Sequence, residues 1–483
     1  MDLIGEFCRL ELAADMFSVQ ERGVSIWWFI RQRAYALLWQ KLTGIDSLGK
    51  TADSLRPIQS LNMGLGAFAR GLFHPYRPTE ILALSTSSAR RNLTEDGRAF
   101  DVFFDFLSFI PDCDYAVMEF PDRNPHSSRP YSPRVFYGDW IVARGNAGRA
   151  IGGQLSCRGV VAEVRDRLID IAREIGVKLS IREADRLVAR EAAFVRFTMP
   201  LARAIIEAVR PKVVLVECGY APSHMVVQLA AKRRGIPVIE LQHGFISEQS
   251  IGYRFGIARD SDLDESPFPD ILLTFGDHFK RILLKNSVIR EDRIISTGYP
   301  YLWLALKNHA GPTRPKREMI LITSQPGLAA FWADFALDVA RKIGRRVTIK
   351  PHPAEMDRIN TLFAKVLSAE LVEIVRGRRS LYDLLPRAQF HLSVASTSHL
   401  EAIAFGVNDI VVSAGNMEQQ FGFLKRMGLP FASNADEVNN IIQDYPDIER
   451  ARKYVREDVF SLNRDPLQAI GSVIQRFMSN PGG

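Results

Sequence analysis

The chain has 483 residues, of which 47% are hydrophobic and 24% are charged, and its 62 basic and 55 acidic residues give a formal net charge of +7. This composition is typical of a globular protein, and the length exceeds what one hydrophobic core usually organises, so we expect two domains. The mild positive charge suits an anionic substrate or a bilayer surface and requires neither. Four cysteines without a close pair argue against a zinc site or a disulfide framework and favour a reducing cytosol.

The N-terminal region lacks the basic-then-apolar layout of a signal peptide. No run of about 18 uncharged apolar residues predicts a membrane span, so we expect a cytoplasmic protein. Residues 25–42 predict a helix, with Ser25 as its N-cap and with Trp27 and Ile30 on an apolar face. Two interpretations stay open. Residues 1–50 form an amphipathic helical segment that lies on the cytoplasmic face of the membrane, or the helix packs on its own domain.

The remainder of the first half alternates apolar runs with helical patterns, which predicts a parallel α/β domain over residues 51–305. Arg90 and Arg91 follow its first strand, where they could face an anionic ligand or lie in an exposed loop. The predicted strands are 81–85, 115–120, 135–137, 212–217, 236–241, 270–276 and 293–298, and the predicted helices are 61–73, 160–210 and 223–234.

A polar stretch with two prolines, residues 303–318, predicts the inter-domain linker, and residues 306–483 then form a second α/β domain. Its predicted strands are 319–323, 347–349, 390–395 and 410–413, and its helices are 329–343, 399–405 and most of 435–478. The predicted fold class is therefore α/β, with two Rossmann-like, doubly wound domains that face each other across a cleft.

Two strand-to-loop transitions in the second half carry polar motifs. One loop offers a cation and an imidazole, and the other offers hydroxyls in front of a helix. Parallel sheets bind ligands at such strand ends, and a helix N-terminus favours a phosphate, so we predict a nucleotide phosphate site. A rigid turn and a simple helix cap are the alternatives. The residues concerned are Lys350, His352, Pro353, Ser396, Thr397 and Ser398.

Two residues that end first-domain strands are candidates for the base that deprotonates an acceptor, namely Glu217 and His243. The alternatives are an ion pair for Glu217 and a core position for His243. Gln325 and Glu401 are candidates for holding the base and ribose of a nucleotide. The Asp-x-Asp spacings at 112–114 and 260–264 do not follow a convincing strand, so we predict no metal site. We also predict no cofactor, because the nucleotide-sugar is a substrate.

The ordered trio of strand-QHG, strand-KPHP and a Ser/Thr cluster before EAIAFG resembles the GT-B fold glycosyltransferases of bacterial surface polysaccharide synthesis. The capsule Kdo and sialic-acid transferases, which use CMP-sugars, and the CDP-polyol phosphotransferases of teichoic acid synthesis are similar. The resemblance covers residues 210–410. It implies that His352-Pro353 and the Ser/Thr cluster contact the nucleotide phosphate and that His243 acts near the chemistry. Sialyltransferases carry an acidic Asp/Glu-Asp/Glu-Gly motif, and Glu217-Cys218-Gly219, at the end of a predicted strand, is the candidate that we compare with it.

The predicted function is a metal-independent glycosyltransferase of capsule or lipopolysaccharide synthesis that uses a nucleotide-activated donor, with a CMP-sugar favoured. A nucleotide-sugar 2-epimerase of the same fold and a CDP-polyol phosphotransferase are the alternatives. The expected partners are a glycan or lipid-linked glycan acceptor and a peripheral contact with the inner membrane. Dispersed basic residues without an aromatic-basic motif argue against nucleic acid.

Overall fold

The computed structural model describes residues 2–44, 75–94, 96–122, 125–154, 157–309, 317–377, 379–415 and 417–479. The predicted helix 61–73 and the centre of the predicted linker, residues 310–316, lie outside the described residues.

The first domain begins with a small helical subdomain and continues into a large sheet with its helices. Its elements in chain order are α1 (Leu3–Ala13), β1 (Gln20–Glu21), β2 (Val24–Ser25), α2 (Trp27–Thr43), β3 (Ile81–Thr86), β4 (Arg90–Leu93), β5 (Ala99–Asp101), β6 (Tyr115–Phe120), β7 (Val135–Tyr137), α3 (Asp139–Gly152), α4 (Val160–Glu174), α5 (Ile181–Val209), β8 (Val213–Val216), α6 (Pro222–Lys232), β9 (Val238–Leu241), β10 (Ile271–Thr274), α7 (Asp277–Asn286), β11 (Ile294–Ser296) and α8 (Pro300–Asn308).

The second domain repeats this organisation around a second sheet. Its elements are β12 (Met319–Thr323), α9 (Ala329–Ile343), β13 (Val347–Lys350), α10 (Ile359–Leu362), β14 (Val372–Ile374), β15 (Ala388–Ser393), α11 (Ser398–Ala404), β16 (Asn408–Val412), α12 (Gly422–Lys425), β17 (Phe431–Ala432), α13 (Ala435–Gln443), α14 (Glu449–Tyr454) and α15 (Pro466–Ser479).

Both large sheets are parallel and share one strand order. The seven-stranded sheet runs β7-β6-β3-β8-β9-β10-β11, and the six-stranded sheet runs β14-β13-β12-β15-β16-β17. Counted within each large sheet, both begin 3-2-1-4-5-6, the Rossmann order, in which the strand sequence reverses between the first and fourth strands. The predicted fold class of two Rossmann-like domains is confirmed. The reversal points lie between β3 and β8 and between β12 and β15.

The amino-acid pattern explains these elements. The residues of β8 are fully buried aliphatic residues, as a strand covered by helices on both faces requires. Helix α9 buries Trp332, Ala336 and Val339 on one face and ends at Gly344, whose φ of 67° is a left-handed conformation that favours glycine.

The N-terminal helices are part of the first domain. Trp27 and Ile30 of α2 are fully buried, so the aromatic face predicted from the sequence packs inside the protein. The buried Arg31 pairs with the buried Glu11 of α1 at 2.9 Å and donates to the carbonyl oxygens of Ile251 and Arg254 at 2.7 and 2.6 Å. This buried pair attaches both helices to the loop that follows β9, and the peripheral membrane contact stays a prediction.

The last helix crosses back to the first domain. Ile470, Ile474 and Phe477 of α15 are buried in one hydrophobic cluster with Ile81 and Leu215 of the first sheet. An amphipathic pattern predicts a helix but does not identify the surface against which its apolar face packs. The sequence therefore predicted residues 306–483 as one domain and did not predict the contact of α15 with the first sheet. Among the described helices, none is both long and apolar enough to span a bilayer.

We expect Glu11→Ala to destabilise the first domain by about 3–5 kcal/mol, because it leaves the buried Arg31 without its counter-charge. Glu6→Ala on the same helix is the matched control, since Glu6 pairs with Arg9 on the surface and should change little. Urea unfolding followed by fluorescence measures both. Equal midpoints for the two variants would contradict the anchoring role of the Glu11–Arg31 pair.

Candidate active site

The second-domain residues predicted from the sequence follow three neighbouring strands, β13, β12 and β15. Adjacent strands lie about 4.8 Å apart, so the loops after β13 and β15 flank the end of β12 at roughly 5 Å on either side. This is the reversal point of the sheet, where open α/β sheets bind ligands. The fold therefore brings the KPHP loop and the Ser/Thr loop to one edge.

His352 caps the turn that follows β13. Its Nδ1 accepts a hydrogen bond from the backbone N–H of Ala354 at 3.1 Å, while its own backbone N–H donates to Glu355 Oε2 at 3.0 Å. In a neutral ring, an accepting Nδ1 places the proton on Nε2, so Nε2 is the ring donor. Lys350, at the end of β13, is half-buried. Pro353, the next residue after His352, begins the turn and is exposed.

Glu355 is a structural residue that sequence reasoning missed. Its Oε2 also accepts a hydrogen bond from Ser324 Oγ at 2.8 Å, so it joins the loop after β12 to the loop after β13. Burial raises the pKa of this carboxyl. The spacing of His352 and Glu355 is that of a capping box, and this was the signal available in the sequence.

The three hydroxyl residues after β15 have different surroundings. Ser396 Oγ accepts from the backbone N–H of Ser398 at 3.2 Å, and Ser396 and Thr397 are half-buried. Ser398 is 4% exposed, and its hydroxyl lies 2.8 Å from Thr323 Oγ1 inside the sheet. The Ser398 side chain is therefore directed inward, and the phosphate role of the loop stays a prediction.

The two residues predicted to hold the nucleoside contact other side chains. Gln325 is 8% exposed, donates to Ser393 Oγ and accepts from Trp332 Nε1 at 3.4 Å. Glu401 is half-buried and accepts a hydrogen bond from Tyr382 OH at 2.7 Å. Their nucleoside contacts stay predictions.

In the first domain, Glu217 ends β8 at the reversal point of that sheet. It is 5% exposed, and its Oε2 lies 3.5 Å from Ser85 Oγ at the end of β3. Ser85 donates a shorter hydrogen bond, 2.6 Å, to the buried carboxylate of Asp101. Glu217 therefore belongs to a cluster of buried polar groups where the strand order reverses.

Arg90 lies in the same cluster. It is 3% exposed, forms ion pairs with Glu119 and with Asp105 at 3.3 Å, and donates to Ser132 Oγ at 3.0 Å. Burial, and then the charge of Asp101, raise the pKa of Asp105 to about 7. These contacts occupy the Arg90 guanidinium, so its predicted contact with an anionic ligand would require rearrangement. Arg91, the other predicted arginine, lies on β4.

His243 follows β9 and is one of the more accessible predicted residues, with 27% of its side chain exposed. Its Nε2 lies 3.2 Å from Tyr220 OH, and its Nδ1 lies 3.8 Å from Glu240 Oε1, which is longer than a hydrogen bond. Glu240 accepts a 2.7 Å hydrogen bond from Tyr253 OH, and burial raises its pKa to about 8. The sequence analysis did not single out Glu240, although a charged residue within the apolar run of β9 was a signal that could have found it.

The carboxyl edges of the two sheets meet. Phe245, two residues beyond His243, lies 5.5 Å from Phe421 of the second domain between ring centroids, and Tyr301 of α8 stacks on Tyr382 at 4.9 Å. His278 of α7 shares a 2.7 Å hydrogen bond with Tyr454 of α14. The His243 loop therefore lies where the two domains meet, at the crevice between them.

In the described part of the chain, one group of side chains has the make-up of a metal site, namely His391, His399 and Asp409. All three are fully buried, and the ring nitrogens lie 2.6–3.0 Å from the carboxylate oxygens. Such distances fit shared protons, since two ligands at about 2.0–2.2 Å from one zinc ion stand more than 3 Å apart. Of the Asp-x-Asp residues, Asp114 pairs with Arg134, and Asp260 pairs with Arg293.

No protein-family model and no curated protein sequence matches this chain. Solved structures with a similar arrangement include a UDP-GlcNAc 2-epimerase from Neisseria meningitidis bound to UDP-GlcNAc, with 12% identity, a TM-score of 0.47, and 83% of this chain and 100% of that chain covered. The S. aureus MnaA complex with UDP has 11% identity, a TM-score of 0.47 and coverage of 83% and 97%. A variant of the wall teichoic acid polymerase TagF, soaked with CDPG, has 8% identity, a TM-score of 0.47 and coverage of 88% and 98%. Similarity at this level carries no functional argument, so the roles of the residues rest on the geometry above.

Glu240 should make the stability of the protein depend on pH. Unfolded glutamate ionises near pH 4.3, whereas folded Glu240 keeps its proton up to about pH 8, so the unfolded state binds fewer protons between these values. Stability should therefore fall as the pH rises through this interval. Glu240→Gln keeps the shape without titrating and should flatten the dependence, measured as thermal midpoints between about pH 5 and pH 9. Parallel curves for the two proteins would contradict the buried neutral carboxyl.

Proposed function

We propose that this protein is a glycosyltransferase that moves a sugar from a nucleotide-activated donor to an acceptor hydroxyl. One observation carries the proposal. The loops bearing His352 and the Ser396–Ser398 hydroxyls flank the end of β12 at the reversal point of a Rossmann-type sheet. A ligand there has an imidazole on one side and hydroxyls on the other, and both chemistries suit a phosphate. A CMP-sugar is the donor that the sequence resemblance favours.

The phosphate side of the reaction is electrostatic. As the glycosidic bond breaks, the leaving phosphate gains negative charge, which preorganised donors stabilise in a water-poor cleft. His352 would donate from Nε2, because its Nδ1 is already the acceptor for Ala354. Lys350 would add positive charge from the end of the same strand, and the hydroxyls of Ser396 and Thr397 would approach from the other side.

The acceptor side requires a base in the first domain. His243 is favoured over Glu217, because its ring is partly exposed on the loop that borders the crevice, whereas Glu217 is 5% exposed. Tyr220 OH, 3.2 Å from His243 Nε2, would orient the ring. The base would take the proton of the acceptor hydroxyl while the sugar carbon bonds to that oxygen.

A nucleotide-sugar 2-epimerase is the second candidate. The observation that favours it is the carboxylate cluster at the first-domain reversal point, where Asp101 and Glu217 contact Ser85 and Asp105 accepts from the backbone N–H of Asp101. Proton transfer at a sugar carbon needs an acid and a base, and carboxyls held in different protonation states can supply both. Incorporation of solvent deuterium into the sugar, without an acceptor, would identify an epimerase and overturn glycosyl transfer.

Nucleotide binding tests the phosphate site. We expect at least one of CMP, CDP and UDP to raise the thermal midpoint and to bind in calorimetry, and His352→Asn to weaken that affinity roughly 30-fold, the equivalent of a charge-assisted hydrogen bond of about 2 kcal/mol. Asparagine is a good N-cap, so this variant preserves the turn and removes Nε2. An unchanged affinity in a stable His352→Asn protein would remove His352 from the site, and the absence of binding to any nucleotide would refute the function.

The two base candidates are separated by kinetics. We expect His243→Ala to lower kcat by about 10²–10⁴-fold, the usual contribution of a general base, while the nucleotide dissociation constant stays unchanged. Glu217→Gln should reduce turnover less. The reverse ranking in single-turnover assays, with intact donor binding in both variants, would assign the base to Glu217.

A further inference from the structure

The second domain contains a continuous chain of buried side-chain hydrogen bonds beneath the Ser/Thr loop. The chain begins at Asp409 on β16, whose Oδ1 lies 2.6 Å from His391 Nδ1 on β15. His391 Nε2 lies 3.0 Å from Thr323 Oγ1 on β12, and Thr323 Oγ1 lies 2.8 Å from Ser398 Oγ at the start of α11. Asp409 and His391 are fully buried. Four residues thus connect three adjacent strands to the loop that borders the crevice.

Proton counting gives the chain a direction. Burial lowers the pKa of His391, which favours the neutral ring, while the neighbouring histidines offset the effect of burial on Asp409 and keep its pKa low. An ionised Asp409 can only accept, so His391 must donate from Nδ1 and accept at Nε2. Thr323 then donates its single hydroxyl proton either to His391 Nε2 or to Ser393 Oγ, whose own hydroxyl donates to the Thr323 backbone oxygen at 2.9 Å, and in both cases Thr323 accepts the proton of Ser398. The proton of the Ser398 hydroxyl is therefore directed into the domain.

Thr323 is the branch point of this network. Its Oγ1 also lies 3.0 Å from Ser393 Oγ, and Ser393 in turn receives a hydrogen bond from Gln325. The backbone N–H of Ser398 donates a hydrogen bond to Ser396 Oγ at 3.2 Å. The position of the Ser396 hydroxyl is therefore coupled, through Ser398, to Thr323.

We propose that Asp409, His391 and Thr323 are positioning residues that hold the Ser396–Ser398 loop in the geometry required to bind a nucleotide phosphate. This inference rests on the proposed function, and it adds three residues that touch no substrate. A buried carboxylate with histidine partners is costly, and apolar residues would pack a core at least as stably. The network ends at the reversal point of the sheet. A loop that is already fixed there loses less conformational entropy when a ligand binds.

The test compares nucleotides with nucleosides in Thr323 variants. Thr323→Val keeps the shape and removes all three hydrogen bonds, whereas Thr323→Ser keeps the hydroxyl. We expect Thr323→Val to weaken the affinity for CMP, CDP and UDP, where the wild type binds them, roughly tenfold or more, a usual effect of small misplacements in a site. Uridine and cytidine should bind as in the wild type, and Thr323→Ser should restore the affinity for the nucleotides.

Thr348→Val is the matched control. Thr348 is 3% exposed on the adjacent strand β13, so the variant makes the same substitution in the same sheet outside the chain of hydrogen bonds. If Thr323→Val does not fold, Asp409→Asn removes the charge at the other end of the chain, and we expect the same selective loss.

The outcomes separate the two proposals. Wild-type affinity of Thr323→Val for CMP, CDP and UDP, together with weakened binding by His352→Asn, would overturn the positioning chain and leave the proposed function intact. An equal loss for nucleotides and nucleosides, or the same loss in Thr348→Val, would reduce Thr323 to a packing role and also overturn it. A wild-type protein that binds none of CMP, CDP and UDP would refute the proposed function and the positioning role with it.

Discussion

Parallel pairing of strands is the constraint on which the arrangement of this protein depends. Because every strand of a parallel sheet runs in the same direction, all strand-to-loop transitions lie at one edge. In both large sheets the order of strands then reverses at a central pair, β3 and β8 in one and β12 and β15 in the other. The loops on either side of each reversal diverge, and polar side chains collect there without interrupting the hydrophobic layers.

The two reversal points have different side chains. The first combines the carboxylates of Asp101, Asp105 and Glu217 with the guanidinium of Arg90. The second contains hydroxyls and imidazoles, and Thr323 bonds there to both His391 and Ser398. The contact between Phe245 and Phe421 holds the two edges together at the crevice.

Several buried polar groups of the structure are satisfied in networks rather than in isolated pairs. Arg31 with Glu11 fixes the N-terminal helices, and Asp409 with its two histidines lies beneath the Ser/Thr loop. Each network joins elements that are distant in the sequence. Because a half-satisfied buried charge is strongly unfavourable, such networks select one arrangement of the chain over neighbouring alternatives.

The sequence by itself determined most of the strands of the two large sheets but not every helix, since it predicted one helix over residues 160–210, where the structure has Val160–Glu174 and Ile181–Val209. The predicted strands 115–120 and 319–323 and the predicted helix 329–343 have the observed bounds, because apolar periodicity and glycine signals are local. Only the tertiary structure decided which polar side chains face the crevice. The sequence places Arg90, Gln325 and Ser398 just after strands, where polar residues predict exposure, yet all three are buried, and Glu355, Glu240 and Thr323 gain partners from other segments of the chain. The partner of a side chain depends on strand register and on the order of strands in the sheet. Both are set by packing between segments that are far apart in the sequence, so a local sequence pattern does not predict them.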